Sequence, residues 1–237
     1  MSKLVWDAID ERIYESGVDH GVLYVKDGDT YGEGVVWNGL TAVTEKPSGG
    51  EANAQYADNI KYLNLTSAEE FGATIEAFTY PDEFMACDGS VALATGLYAN
   101  GQKRKSFGLC YRTKVGSEAD EDLGYKIHII YNAKAAPTEK ARNTINDSPE
   151  IVNFSWDLTT TPMVINAVDS NDKPYRPVAH IELDSRKFNT EALKAKLQSI
   201  EDQLYGRDAT TGTNAVTALT PTLLTPDQII AIITAVG

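Results

Sequence analysis

The stretch IVNFSWDLTTTPMV, residues 151–164, decides the fold class of this chain. Its side chains alternate, and Val152, Phe154, Trp156 and Leu158 share one face of an extended chain. Alternation of period two with aromatic residues on one face is typical of a half-buried antiparallel strand. The stretch therefore predicts an antiparallel sheet that packs one face against a core.

Similar stretches recur on both sides of this one. Further strands are predicted by runs of β-branched and aromatic residues between Gly, Asp, Asn and Pro. They are GVLYV (21–25), GVVW (34–37), IKYLNL (60–65), ATIEAFTY (73–80), SFGLCYRTKV (106–115), GYKIHIIYNAKA (124–135) and VAHIEL (178–183). In the third of these we expect Ile60, Tyr62 and Leu63 to be buried. Many strands and few helices predict a mainly β protein, a sandwich or a closed barrel.

Two helices are predicted after the strands. In residues 189–205, apolar side chains recur at spacings of four, three and four, which indicates an amphipathic helix capped by Asn189 or Thr190. A second helix begins at Thr225, and Gln228 completes a capping box. Its dense apolar residues predict docking within or between subunits. We expect a β domain at residues 1–183 and a helical appendage at residues 184–237.

Residues 44–57, TEKPSGGEANAQYA, have little apolar content and a Ser-Gly-Gly tip. A loop longer than about 12 residues in a compact domain is usually functional or disordered. We predict an arm that becomes ordered against another subunit, with Glu45, Lys46 and Glu51 as its charged contacts. The alternative is an exposed, mobile loop.

Two other segments are candidates for contacts between subunits. The N-terminal segment carries Trp6, Ile9 and Tyr14 among acidic residues, which suggests docking on a neighbour rather than a free terminus. The alternative is an ordinary first strand or helix.

The basic run Lys103, Arg104 and Lys105 stands out in an acidic chain and predicts ion pairs with the next subunit. The alternative is a solvated turn beside Gly101.

The composition excludes several classes of function. The formal net charge is -13, from 21 basic and 34 acidic residues, which argues against binding to nucleic-acid phosphates or anionic membranes. The N-terminus MSKLVWDAIDERIY lacks the apolar core of a secretory signal, so we expect synthesis in the cytoplasm. No hydrolase elbow, phosphate-binding loop or dinucleotide fingerprint occurs, and we predict no catalytic site.

The metal-binding residue types are few and scattered. Cys87 and Cys110 form no paired motif, and His20, His128 and His180 lie far apart in the sequence. The sequence therefore predicts no metal site and no cofactor.

Several long stretches, in order along nearly the whole chain, resemble the major tail tube proteins of long, non-contractile phage tails or of related phage-tail-like particles. They are RIYESGVDHGVLY (12–24), VWNGLTAVTEKPSGGEAN (36–53), YADNIKYLNLTSAEEFGATIEAFTYPDEFMACDG (56–89), KSFGLCYRT (105–113), YKIHIIYNAKAAPTEKARNTINDSPE (125–150), FSWDLTTTP (154–162) and the ending LQSIEDQLYG with TPTLLTPDQIIAI.

This resemblance implies a tail-tube-type β-sandwich or barrel with a flanking helix, six copies of which form a ring. Stacked rings form a hollow tube in the virion, and genomic DNA passes through its lumen without specific binding. The implied partners are further copies of the chain, a tape-measure protein, the tail tip or baseplate, and a tail terminator, with no membrane. An alternative is a β-sandwich carbohydrate-binding module on a phage or bacterial surface protein, because aromatic side chains on a sandwich face can stack on sugars.

Overall fold

A computed structural model describes residues 4, 6–7, 11–145, 151–169, 171–210 and 215–235 of the chain. Strands make up 45% and helices 16%, which confirms the mainly β class. The strands are β1 (Ile13–Asp27), β2 (Thr30–Val36), β3 (Leu40–Glu45), β4 (Ser48–Gly49), β5 (Ala52–Ala57), β6 (Ile60–Thr66), β7 (Glu69–Glu70), β8 (Gly72–Ala77), β9 (Val91–Ala94), β10 (Leu97–Ala99), β11 (Phe107–Ser117), β12 (Gly124–Ala135), β13 (Phe154–Thr160) and β14 (His180–Asp184). The helices are α1 (Met85–Asp88), α2 (Glu191–Tyr205) and α3 (Pro226–Thr234).

Eight strands form one antiparallel sheet in the order β2-β1-β11-β12-β13-β8-β3, and β14 also pairs with β12. The sheet forks at β12. Residues 126–130 of β12 pair with β14, whereas residues 133–135 pair with β13. The sheet is not a closed barrel, so of the two predicted arrangements the closed barrel is wrong.

Each face of the sheet covers its own hydrophobic cluster, because side chains alternate along the strands. On β1, Leu23 enters one cluster, while Val22 and Tyr24 enter the other. The first cluster contains the aromatic group Trp37, Phe84, Phe107 and Trp156. In β13, Trp156 and Leu158 are buried and Asp157 is exposed, which is the alternation that the sequence predicts.

The second cluster lies under the two C-terminal helices. Helix α2 buries Leu197, Ile200 and Leu204, and the Thr190 hydroxyl caps it by accepting a bond from the amide of Leu193. Helix α3 begins with the predicted Thr225–Gln228 capping box and buries Ile229 in the same cluster. In this subunit the terminal helix therefore docks on its own chain. Among the described residues no helix is long and apolar enough to cross a membrane.

Residues 44–57, expected to form a loop, are largely extended. They contain the end of β3, the short β4 and the whole of β5, and β5 pairs with β6 in an antiparallel hairpin. The expectation that Ile60, Tyr62 and Leu63 are buried is wrong, since all of β6 is exposed. The physical reason is that β6 belongs to a projecting hairpin rather than to the main sheet.

Candidate assembly surfaces

The most prominent surface feature is a hairpin, residues 46–71, which extends the β3–β8 pair away from the main sheet. We call it the 46–71 arm. Its lower part is the short β4–β7 ladder and its upper part the β5–β6 ladder. Asp58 and Asn59 form the tip with φ angles of 51° and 65°. Two successive left-handed residues between paired strands are the geometry of a two-residue type I′ turn, in which Asn and Asp are favoured.

The arm exposes apolar side chains although it is regular in structure. Tyr56 and Tyr62 are 72% and 69% exposed, and Ile60, Leu63 and Leu65 are also exposed. A two-stranded hairpin is at best marginally stable by itself in water. Apolar side chains on such a hairpin therefore fit a surface that another molecule covers.

The charged residues predicted for this region are divided between the arm and its root. Glu51 is exposed on the arm. At the root, the Lys46 ammonium lies 3.3 Å from an Asp157 carboxylate oxygen, and Glu45 accepts a 3.0 Å hydrogen bond from the Tyr111 hydroxyl. Glu45 and Lys46 thus have partners in their own chain, and their role in ring stacking stays a prediction.

The N-terminal candidates lie in different environments. Trp6 is 75% exposed, whereas Tyr14 belongs to β1 and pairs with Gly116 of β11. Ile9 lies outside the described residues. Tyr14 lies in the first strand but is 46% exposed, so docking of Trp6 and Tyr14 on a neighbouring subunit stays a prediction.

Two members of the basic run, Arg104 and Lys105, contact their own chain. Arg104 donates a 2.8 Å hydrogen bond to the carbonyl of Ala135 and lies 3.7 Å from the buried carboxylate of Asp88. Lys105 pairs with Asp27 at 3.0 Å. Lys103 is exposed and contacts no described partner. Contacts of the basic run with a neighbouring subunit stay a prediction. Of the three side chains, that of Lys103 is the most available for such a contact.

A second hairpin, β9–β10, lies just before the basic run and was missing from the predicted strands. It also exposes apolar residues, among them Leu93, Leu97 and Tyr98. The Thr95–Gly96 pair between two short apolar runs was the available turn signal. It is a second candidate contact surface.

Three polar side chains far apart in the sequence meet at the root of the arm: Glu45, His128 and His180. Burial lowers the pKa of both histidines, and nearby carboxylates, Glu45 foremost, offset this only in part. Both imidazoles are therefore mainly neutral at neutral pH, which is the state that binds metal ions. The sequence spacing of these residues held no sign of the cluster.

These features define a mainly β protein whose antiparallel sheet carries the helices α2 and α3 on one face and projects hairpins with exposed apolar side chains. No family model and no curated protein matches the sequence. A solved structure similar to this chain is a component of the anti-feeding prophage (AFP) baseplate, with a TM-score of 0.35 and 8% sequence identity. The alignment covers 76% of this chain and 97% of that one. A similarity this low carries no conclusion about function.

Proposed function

We propose that this chain is the repeating structural subunit of a phage-tail-type tube, assembled as stacked hexameric rings. The observation that carries the proposal is the 46–71 arm, a regular hairpin whose apolar side chains are left exposed by the described part of the subunit. The resemblance of the sequence to major tail tube proteins supports the same conclusion. On this proposal the protein is structural and has no catalytic site.

The length of the arm suits contact with an adjacent ring. At about 3.3 Å per residue, one side of the hairpin, residues 46–58, reaches up to ~40 Å beyond the main sheet. That is comparable to the width of a small domain. On a neighbouring ring, Tyr56, Tyr62 and Leu65 lose their contact with water, which supplies the hydrophobic stabilisation that the isolated hairpin lacks.

The edges of the main sheet offer a route to ring closure. Strands β2 and β3 end the sheet, and β14 pairs on one side with β12. Edge strands present unpaired backbone groups, and a closed ring satisfies them by pairing with the next copy. A head-to-tail contact closes by rotation within the ring, whereas ring-on-ring stacking is open-ended and produces a filament.

The net charge of -13 suits a conduit for DNA. We propose that part of the acidic excess faces the lumen, where it repels the phosphate backbone and keeps the genome from adhering. DNA then passes without specific binding. The tape-measure protein, tail tip or baseplate and terminator are the proposed partners, and the virion is the proposed location.

Electron microscopy of the purified protein at high concentration tests the proposal, together with particles from an induced lysate. We expect rings or hollow tubes of uniform width, and labelling by an antibody to this chain along the length of the tails. The proposal would be overturned if the purified sample contained only small monomeric particles and the antibody labelled no tails in the lysate.

A pair of matched variants tests the role of the arm. We expect Tyr62→Ser with Leu65→Ser to abolish tubes while the circular dichroism spectrum and melting temperature stay unchanged. Val164→Ser is the control, because Val164 is also well exposed but lies outside the arm. Equal assembly of the arm variant and the control would contradict the assigned role of the arm.

A further inference from the structure

The cluster at the root of the arm joins β3 to the paired strands β12 and β14, whereas the ladder of β3 is with β8. Glu45 is the last residue of β3, His180 is the first of β14, and His128 lies on β12. In the β12–β14 ladder His128 pairs with Glu182 and His180 with Ile130, so the two histidines are diagonal neighbours on one face. Glu45 reaches them from β3.

The three potential ligand atoms form a compact triangle. His128 Nδ1 and His180 Nε2 are 3.2 Å apart. Glu45 Oε1 lies 3.6 Å from the first nitrogen and 3.7 Å from the second. In a tetrahedral zinc site with bonds of about 2.0–2.1 Å, ligand atoms stand ~3.4 Å apart. The spacing of the three atoms is therefore close to that of three zinc ligands, and an ion replaces the direct His128–His180 hydrogen bond once the two rings turn toward it.

Hydrogen bonds behind the triangle orient two of its members. Tyr111 donates to Glu45 Oε1 at 3.0 Å, and Thr113 Oγ1 lies 3.0 Å from His128 Nε2. The Thr113 hydroxyl in turn donates to Glu15 at 2.6 Å. His128 can thus donate its Nε2 proton to Thr113 while Nδ1 keeps a lone pair toward the triangle. Histidines that bind metals usually have such an acceptor behind them.

Aromatic side chains hold both imidazoles in place. Tyr111 stacks on His128 at a centroid distance of 4.7 Å, and Phe71 stacks on His180 at 4.8 Å. The two imidazole planes differ by 3°. The aromatic contacts restrict both rings, so little side-chain freedom is lost when an ion replaces the hydrogen bond between them.

The donor set and its burial indicate which ion fits. Two imidazole nitrogens and one carboxylate suit zinc and related divalent transition metals, whereas calcium and magnesium prefer oxygen ligands throughout. The His128 side chain is 5% exposed, that of His180 17% and that of Glu45 38%. An ion therefore enters from the Glu45 side, where water can complete its coordination.

We propose that Glu45, His128 and His180 bind one divalent transition-metal ion of the zinc class. The ion fastens β3, at the root of the 46–71 arm, to the β12–β14 ladder, because the backbone of β3 pairs with β8 rather than with either of these strands. This site is independent of the tube assignment, because it lies within one subunit.

Zinc binding by the full-length chain tests the proposal. After treatment with a chelator, the wild-type protein is titrated with Zn²⁺ by calorimetry and equilibrium dialysis. We expect one ion per chain and, with Co²⁺ as a probe, visible absorption bands of a four-coordinate site. His128→Ala and His180→Ala should each weaken binding at least ~10-fold. His20→Ala is the matched control and should bind as the wild type does.

Folding of the variants is checked by circular dichroism without metal. Glu45→Gln adds a variant that keeps the acceptor for Tyr111 and removes the charge, and it should also bind at least ~10-fold more weakly. The absence of stoichiometric binding to the wild type would overturn the proposal and leave a histidine pair joined by a direct hydrogen bond. Undiminished binding in folded His128 and His180 variants would overturn it too.

Discussion

The hydroxyl of Tyr131 on the central strand β12 donates a 2.9 Å hydrogen bond to the carbonyl of Leu224, two residues before helix α3. Both residues are buried. This bond joins the middle of the sheet to the C-terminal segment and helps to explain why α3 docks on its own subunit.

Replacement of Tyr131 tests this connection. Tyr131→Phe keeps the ring but removes the donor to a buried carbonyl, so we expect a loss of about 1–2 kcal/mol in the free energy of unfolding. Urea denaturation measures it. Tyr56→Phe, at an exposed position, should change the free energy by less than about 0.5 kcal/mol. Equal effects of the two substitutions would contradict the importance of the buried bond.

Variants of the basic run at residues 103–105 distinguish an effect on subunit stability from an effect on assembly. Arg104→Ala removes a hydrogen bond to Ala135 and one of the two cations beside the buried Asp88, the other being Lys140, so we expect a loss of about 1–3 kcal/mol in subunit stability. Lys103→Ala should leave stability within about 0.5 kcal/mol. If the run contacts the next subunit, Lys103→Ala reduces ring or tube formation all the same. Urea denaturation and electron microscopy of both variants distinguish the two effects.

Substitutions at the tip of the 46–71 arm test whether the shape of its turn favours assembly. Asn59 has a φ of 65°, which glycine adopts without strain and alanine does not. On the proposed function, Asn59→Gly should preserve assembly or lower the protein concentration at which tubes appear. Asn59→Ala should raise that concentration, because the hairpin loses up to about 1 kcal/mol. Sedimentation across a concentration series measures the threshold, and the reverse order of the two variants would contradict a role for the turn.

Stability should depend on pH through Asp19. Burial pushes the pKa of this carboxyl upward, but hydrogen bonds from Arg112 and His20 outweigh it, and the pKa is lowered overall. The Arg112 Nε atom lies 2.9 Å from the carboxylate. Because the folded state holds the proton less tightly than the unfolded state, the contribution is complete above the ordinary aspartate pKa of about 3.9 and is lost as pH falls below it.

Asp19→Asn isolates this contribution. We expect the variant to be less stable than the wild type at pH 7 and the difference to shrink toward pH 3. Urea denaturation at both pH values measures it. A difference that stays constant with pH would show that the ion pair with Arg112 does not produce the effect.

Local patterns in the sequence were sufficient for several elements. The alternation of Phe154, Trp156 and Leu158 predicted β13, the apolar stripe of residues 189–205 predicted α2, and the Thr225–Gln228 pair predicted the start of α3. These features depend on neighbours a few residues away, and one face of each element is buried. Their periodicity therefore appears directly in the sequence.

The 46–71 arm could not be predicted in the same way. Its strands are largely exposed on both faces, so residues 52–57 lack the one-sided apolar pattern that identifies a strand. Residues 60–65 have an apolar pattern, but their side chains are exposed in the structure. The pairing of β5 with β6 follows from the turn at Asp58 and Asn59 and from the β3–β8 ladder that the arm extends.

The sequence by itself determined the mainly β class, the amphipathic helices and the strongly acidic surface, because each depends on composition or on short-range periodicity. Tertiary structure alone decided which side chains meet. His128 and His180 are 52 positions apart, and the register of β12 with β14 brings them within hydrogen-bonding distance. Glu45 joins them because the forked sheet carries the end of β3 to the same place. Strand register and sheet curvature arise from packing of the whole chain, and no local spacing encodes them.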